Sequence, residues 1–342
     1  MIDLSRLKLK NNRVCIFLFI LVYCNRKIFA QNIPFNNIYP SRTLVVLSAP
    51  SIWDETYRVI FQDIVNFQIN FAKIIHENEN SIILVDKHTL PYYNGRSRIF
   101  QNRLPFDALL EANIYDINLH DFAPFGIFAT TKFVYRDDEL ADITTMQIDD
   151  SMNRFLKEND IKIDRQEPNI ILSAKNVVHN GKNMALISET VLDENNGRLP
   201  EWALLIKLFN VFKKVYKIPH PYANSSLRFD DVIAFIDEKI LVTPVLIPEA
   251  REKLENTLDK RYHKKLTIIE LPSERKLHEE GNCGIYSALL TTDKYIYVPV
   301  FGNDPGNWQH GYSSMTDKIV LHTIQSNTRK KITDVDNKRI NG

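Results

Sequence analysis

Cysteine is scarce in this 342-residue chain, which holds only Cys15, Cys24 and Cys283. The first two fall in a leader-like stretch. Loss of that stretch would leave one thiol and no intrachain disulfide. An excess of charge of one sign is also missing. The chain carries 43 basic and 42 acidic residues, a net charge of +1, so nothing pulls it towards nucleic acid or a strongly acidic partner. The pairs Lys213–Lys214, Lys264–Lys265 and Lys330–Lys331 are scattered and read as solvated faces. No His, Cys or carboxylate pair has tight metal-site spacing, and no glycine loop of the phosphate-cradling kind occurs. No zinc site is expected. Low-complexity tracts and a clear interdomain linker are absent too.

Long apolar runs are limited to one. Val14 to Cys24 is eleven residues without charge, preceded by Lys8, Lys10 and Arg13. That length is too short to span a bilayer comfortably and suits a signal-peptide core. Ile28-Phe-Ala30 offers a cleavage point before Gln31, although Arg26 and Lys27 are unfavourable after such a core. Residues 1–30 are therefore read as a signal peptide, which makes the protein secreted or periplasmic. A retained N-terminal membrane anchor is the alternative.

What remains is ordinary globular material. The hydrophobic content is 44%, enough for a normal core. Thr43–Ser48 and Ser81–Val85 read as buried strands, with an aromatic amphipathic helix over Ile52–Ile75 between them. This is a crossover long enough for parallel pairing. Further strands are predicted at Asn169–Leu172, Val177–Val178, Met184–Ile187, Lys214–Ile218, Val232–Ile236, Lys239–Val245, Leu266–Ile269, Gly284–Leu290, Lys294–Val300 and Lys331–Val335. Helices are predicted at Ser151–Glu158, Trp202–Phe212, Arg251–Arg261 and Lys318–Ser326, and Asn180-Gly181 marks a hairpin. The pattern recurs four or five times without sequence repetition. It predicts one α/β domain over 42–342, built of ββαβ-like units.

Tyr115 to Pro124, Tyr-Asp-Ile-Asn-Leu-His-Asp-Phe-Ala-Pro, places Asp116 and Asp121 five residues apart. This spacing is neither helical nor that of one strand face, and it predicts a strand ending in a bend closed by Pro124. His120 and Asp121 would then lie at a strand-to-loop junction, where sites in α/β proteins form. On a strand these two neighbours would point to opposite faces.

Several segments together resemble the agmatine deiminase and bacterial-type peptidylarginine deiminase family. Pro50-Ser-Ile-Trp53 and the helix after it resemble the first unit of that family. Asp116 to Pro124 resembles its D-x-W-x-R-D-[FY]-x-P segment, and Asn176 to Gly181 with Asn195 its glycine–glycine–asparagine turn region. Arg228 to Ile236 resembles its H-x-D-x-x-x-x-[FI] segment, and Tyr295-Ile-Tyr-Val-Pro-Val-Phe-Gly302 its late VP-x-FG segment. The resemblance runs from about residue 42 to the end. It implies the pentein fold, a five-bladed α/β propeller around a guanidino-binding site. It also implies the chemistry. Carboxylates grip the edge of a planar guanidinium, a cysteine thiolate attacks its carbon, and a histidine serves as acid and base, with no cofactor.

Carried over residue by residue, the resemblance makes Asp121 and Asp230 the substrate-binding carboxylates. The rest departs from the pattern. Asn118 and His120 stand where the family has Trp and Arg. Ser173 replaces an acidic residue, and Ala174 and Lys175 replace two glycines. Arg228 occupies the position of the catalytic histidine. Arginine stays protonated and cannot move a proton as that histidine does, and it sets a fixed positive charge beside a cationic substrate. The family's cysteine lies in a glycine-rich turn about where this sequence reaches Gly342. Cys283 comes some sixty residues too early and reads as a small apolar residue at a strand start, with an unconventional reactive thiol as the alternative. His179, His220 and His310 read as turn or loop residues, and His120 as structural or surface, with a displaced acid–base role beside Asp121 as its alternative.

Two functions follow. One is a guanidino-group hydrolase acting on agmatine or on arginine side chains of peptides, impaired or inactive here. The other is a non-catalytic pentein that binds a cationic ligand or a protein. The expected partner is a small guanidino compound or a peptide arginine, with no nucleic acid.

Overall fold

The computed structural model describes residues 13–14, 21–23, 42–97, 103–104, 106–137, 140–222, 227–261, 266–272, 285–302, 313–336 and 340–341. Cys283, His310, Lys264 and Lys265 lie outside the described residues, as does most of the leader-like stretch.

Within those bounds one strand pattern is repeated. In chain order, β1 is Arg13–Val14, β2 Leu21–Tyr23, β3 Leu44–Ser48, β4 Asn80–Val85 and β5 Leu109–Glu111. Next come β6 Thr131–Val134, β7 Arg165–Ile171, β8 Val177–His179, β9 Met184–Ser188 and β10 Lys214–Ile218. β11 is Ala234–Asp237, β12 Ile240–Pro244 and β13 Thr267–Leu271. The last are β14 Leu290–Thr291, β15 Tyr295–Val300, β16 Lys331–Asp336 and β17 Ile340–Asn341. In the sheets β2-β3-β4-β5, β8-β9-β10, β11-β12-β13 and β14-β15-β16, the first pair is antiparallel and the second parallel. The β6-β7 pair is parallel, and a single antiparallel bridge from Phe125 to Thr131 stands where the others have a first strand. Each parallel pair is joined through a helix, as parallel pairing requires. These helices are Phe61–His76, Asp142–Glu158, Glu201–Phe212, Pro248–Arg261 and Ser314–Asn327, with the short Leu90–Tyr93 turn serving the β4-β5 pair. β2 comes from within the stretch read as a leader core.

β3, β4, β9, β12 and β15 read as continuous largely apolar runs because both of their faces are covered. Leu44, Val46, Ile82 and Leu84 join a cluster with Ile148, Met152 and Phe155 of the next unit. Their alternates Val45, Leu47, Ile83 and Val85 join a different cluster, which contains Tyr297 and Val335 of the last unit. The same alternation splits β9, where Met184 and Leu186 pack towards the β11-β12-β13 unit and Ala185 and Ile187 towards the β6-β7 unit. A fifth cluster joins the last two units through Ile236, Val242, Val298 and Val320. Of these five clusters, four tie successive units and one ties the last to the first.

Several predicted elements differ. The Gly284–Leu290 strand is only Leu290–Thr291, and the Ser151–Glu158 helix starts at Asp142. The Ile52–Ile75 helix begins only at Phe61, because Asp54 and Thr56 spend their polar groups on a turn in which Asp54 Oδ1 accepts from the Thr56 N–H at 2.8 Å. The strand expected before Pro124 is a single helical turn, Leu119–Phe122, in which the Ala123 N–H reaches the Leu119 carbonyl at 3.0 Å. Ala123 then turns extended (φ −74°, ψ 158°), as a residue before proline must. The strand expected at Val232–Ile236 starts at Ala234, after a second single turn over Phe229–Val232.

Candidate functional site

Those two single turns build the site. Leu119 and Phe122 of the first are buried in one apolar cluster, and Phe229 and Val232 of the second in another. The apolar anchors leave Asp121 on one turn facing Arg228, the residue that opens the other. Both turns pack on the short 3₁₀ segment Ala174–Asn176.

The structure brings Asp121, Arg228 and Asp230 together. Arg228 Nη1 donates to Asp121 Oδ2 at 2.7 Å and Nη2 to Asp121 Oδ1 at 2.6 Å. Arg228 Nε and Nη2 donate to Asp230 Oδ1 and Oδ2, both at 2.9 Å. Two edges of one planar guanidinium are therefore each held by a carboxylate in the two-pronged geometry that suits arginine best. The cluster is secluded, with side-chain exposures of 12% for Arg228, 2% for Asp121 and 17% for Asp230. Burial alone would push the Arg228 guanidinium down, but Asp121 and Asp230 outweigh it and hold it protonated above its ordinary range. Asp231 beside it is pushed well up by burial and then by the Asp230 charge, which favours its neutral form.

His120 enters the same cluster, contrary to the strand expectation. On a helical turn its ring lies near Asp121's partners, with Nε2 3.7 Å from Asp230 Oδ2. Burial lowers its pKa while Asp230 and Asp121 push it back up. Its Nδ1 is buried with no hydrogen-bond partner in the structure, and so is Ser173 Oγ. His179 is pushed down to about 4 by burial and by the nearby His120. Its Nδ1 accepts from the Gly181 N–H at 3.2 Å. His220 packs beside the second turn, its ring against Phe229 at 5.9 Å and bonded to the backbone at Arg228, with Nδ1 accepting from the Tyr222 N–H at 3.0 Å.

Asp116 does not share the cluster's bonding. It accepts from the Asn118 N–H at 2.6 Å and the Tyr57 hydroxyl at 3.3 Å, and burial raises its pKa to about 7. The two aspartates of one segment therefore have different jobs, one fixing the local turn and one gripping Arg228. The Ala174–Lys175 position is an ordinary turn. Ala174 is buried, and Lys175 Nζ reaches out to Asp137 Oδ2 at 3.0 Å. Asn195 lies deeper and is structural. Its Nδ2 donates to the carbonyls of Ile171 (2.8 Å) and Val191 (2.7 Å), and its Oδ1 accepts from the Ile171 N–H at 2.9 Å. No group of three metal-ligating side chains occurs among the described residues, and no described helix is long and apolar enough to cross a membrane.

No family model and no curated protein matches the sequence. Solved structures do. The chain is similar to the agmatine deiminase of C. jejuni, with a TM-score of 0.64 and 18% identity over 89% of this chain and 90% of that one. It is similar to the agmatine deiminase of Enterococcus faecalis, with a TM-score of 0.63 and 17% identity over 86% and 88%. The chain has the pentein fold. Within the pentein fold, Arg228 is the feature that sequence reasoning only half found. The sequence showed a fixed charge placed beside the two carboxylates. It did not show that the charge turns inward and takes both of them. The two-residue step from Arg228 to Asp230 was the available signal.

Proposed function

We propose that this protein is a pentein of the guanidino-group hydrolase type that does not hydrolyse guanidino compounds, and that its carboxylate pair works as an internal ionic lock. The observation that carries this reading is the set of four hydrogen bonds from Arg228 to Asp121 and Asp230. Hydrolysis of a guanidinium needs those carboxylates for the substrate and a side chain that can give and take a proton. Arg228 removes both requirements, since it fills the carboxylates and stays protonated. The same occupancy weighs against a free cationic ligand in this pocket. In this reading the five repeated units form the five blades of a propeller, with the Asp121–Arg228–Asp230 cluster between the turns of two of them.

The test is turnover. Purified protein is incubated with agmatine and with a peptidyl-arginine substrate, and ammonia and ureido product are measured. None is expected. Ureido product that disappears in Asp121→Asn or in Cys283→Ser would sink the proposal.

A further inference from the structure

We propose that Arg228 is an occupant in cis of a working guanidinium receptor, so that removing its side chain converts a closed ion cluster into a site for small free guanidinium cations. This rests on the reading that the Asp121–Asp230 pair is the guanidinium grip of the fold, but it concerns binding and not turnover.

The argument is one of geometry. An arginine needs only one carboxylate to be neutralised. Arg228 engages two, through Nε, Nη1 and Nη2, at 2.6–2.9 Å. The carboxylates come from two separate turns, Asp121 lying 107 residues before Arg228 and Asp230 two after it, and their placement does not depend on the Arg228 side chain alone. Asp121 sits on a turn whose Leu119 and Phe122 are 1% and 2% exposed, and the Asp230 turn is held by Phe229 (1%) and Val232 (0%). Each turn closes its own backbone bond, Leu119 to Ala123 at 3.0 Å and Phe229 to Ile233 at 3.1 Å. The grip is therefore built by apolar packing on either side and would persist without the cation. Truncating Arg228 leaves two secluded carboxylates facing a space shaped for one planar, N-alkylated guanidinium. Such a site selects shape as well as charge, because an ammonium presents its donors tetrahedrally and cannot meet two carboxylates in one plane.

The experiment compares the native chain with Arg228→Ala in methylguanidinium chloride at millimolar concentration. Methylammonium chloride and sodium chloride at equal ionic strength serve as controls, and thermal unfolding is the readout. The Arg228→Ala protein is expected to melt below the native chain and to gain several degrees from methylguanidinium only, while the native chain does not respond. Adding Asp121→Asn to Arg228→Ala should abolish the gain. If Arg228→Ala fails to fold, soluble yield on refolding with and without methylguanidinium is measured, together with the melting of Arg228→Lys, whose ammonium cannot fill the grip. A guanidinium-specific gain in either supports the proposal. An equal response to methylammonium, an equal response of the native chain, or no response of any Arg228 variant overturns it. Failure here leaves the absence of turnover standing, and turnover by the native chain would overturn the proposed function without touching this rescue.

Discussion

Asp121→Asn is the most informative single change, because it keeps the shape of the side chain and removes what Arg228 needs. The substitution puts an amide where a carboxylate accepted two hydrogen bonds at 2.6 and 2.7 Å. One of its two heads then opposes a guanidinium N–H with a donor, so one of the two bonds is lost while those to Asp230 at 2.9 Å stay. Asp121 is 2% exposed, so solvent cannot replace the lost acceptor. Removing one partner of a buried ion pair costs about 3–5 kcal/mol. Unfolding entropy near the melting point is about 2.1 cal/mol/K per residue. Over 342 residues that comes to about 0.7 kcal/mol/K, so the expected fall in melting temperature is about 4–7 °C. Asp230→Asn should cost less, since Asp230 is 17% exposed and its two bonds are longer. Thermal unfolding followed by circular dichroism at neutral pH measures both. A fall of under about 1 °C for Asp121→Asn, or a larger fall for Asp230→Asn, would refute the view that the cluster is secluded and that Asp121 is its main anchor.

Two further outcomes follow from the same neighbourhood. Asp116, raised to about 7, binds its proton more tightly folded than unfolded. Its contribution to stability is therefore present at low pH and is lost as pH rises from about 4 to about 7. His179, lowered to about 4, works in the opposite direction, contributing stability above its unfolded pKa and losing it as pH falls from about 6.5 to about 4. The two partly cancel in the native chain, so Asp116→Asn should steepen acid destabilisation and stabilise the protein at pH above about 7, while His179→Gln should flatten it; urea midpoints across that range check both signs. Asn195→Ala leaves the Ile171 N–H and the Ile171 and Val191 carbonyls without their side-chain partner in a fully buried place. A loss of about 2–4 kcal/mol is expected in urea unfolding, with no change in the Arg228 cluster.

The strands were readable in the sequence wherever both faces are buried. Thr43–Ser48, Ser81–Val85 and Met184–Ile187 are uninterrupted apolar runs, and each appears as a strand within a residue or two. The Glu201–Phe212 and Ser314–Asn327 helices were equally legible from their spacing. What could not be read were the two single helical turns. Four residues do not establish a period, and Leu119-His-Asp-Phe122 fits a strand end as well as a turn. That error carried over to His120, which alternation would send to the far face and which one turn of helix brings to Asp230. The partner of Arg228 was also hidden. A charge in a sequence has no direction, and only the packing of Phe229 and Phe122 turns it towards Asp121.

The closeness of Arg228 to its grip has a consequence for concentration. A group tethered by a short flexible linker already behaves as if dissolved at about millimolar strength. Arg228 is tethered more tightly, two residues from one of its partners and fixed in place by the turn that Phe229 anchors. A free metabolite at cellular levels competes with a neighbour that never diffuses away. Whatever affinity the two carboxylates have for guanidinium is thus spent before any solute arrives. A guanidino compound would have to outbid this resident arginine and also find room for the side chain it displaces.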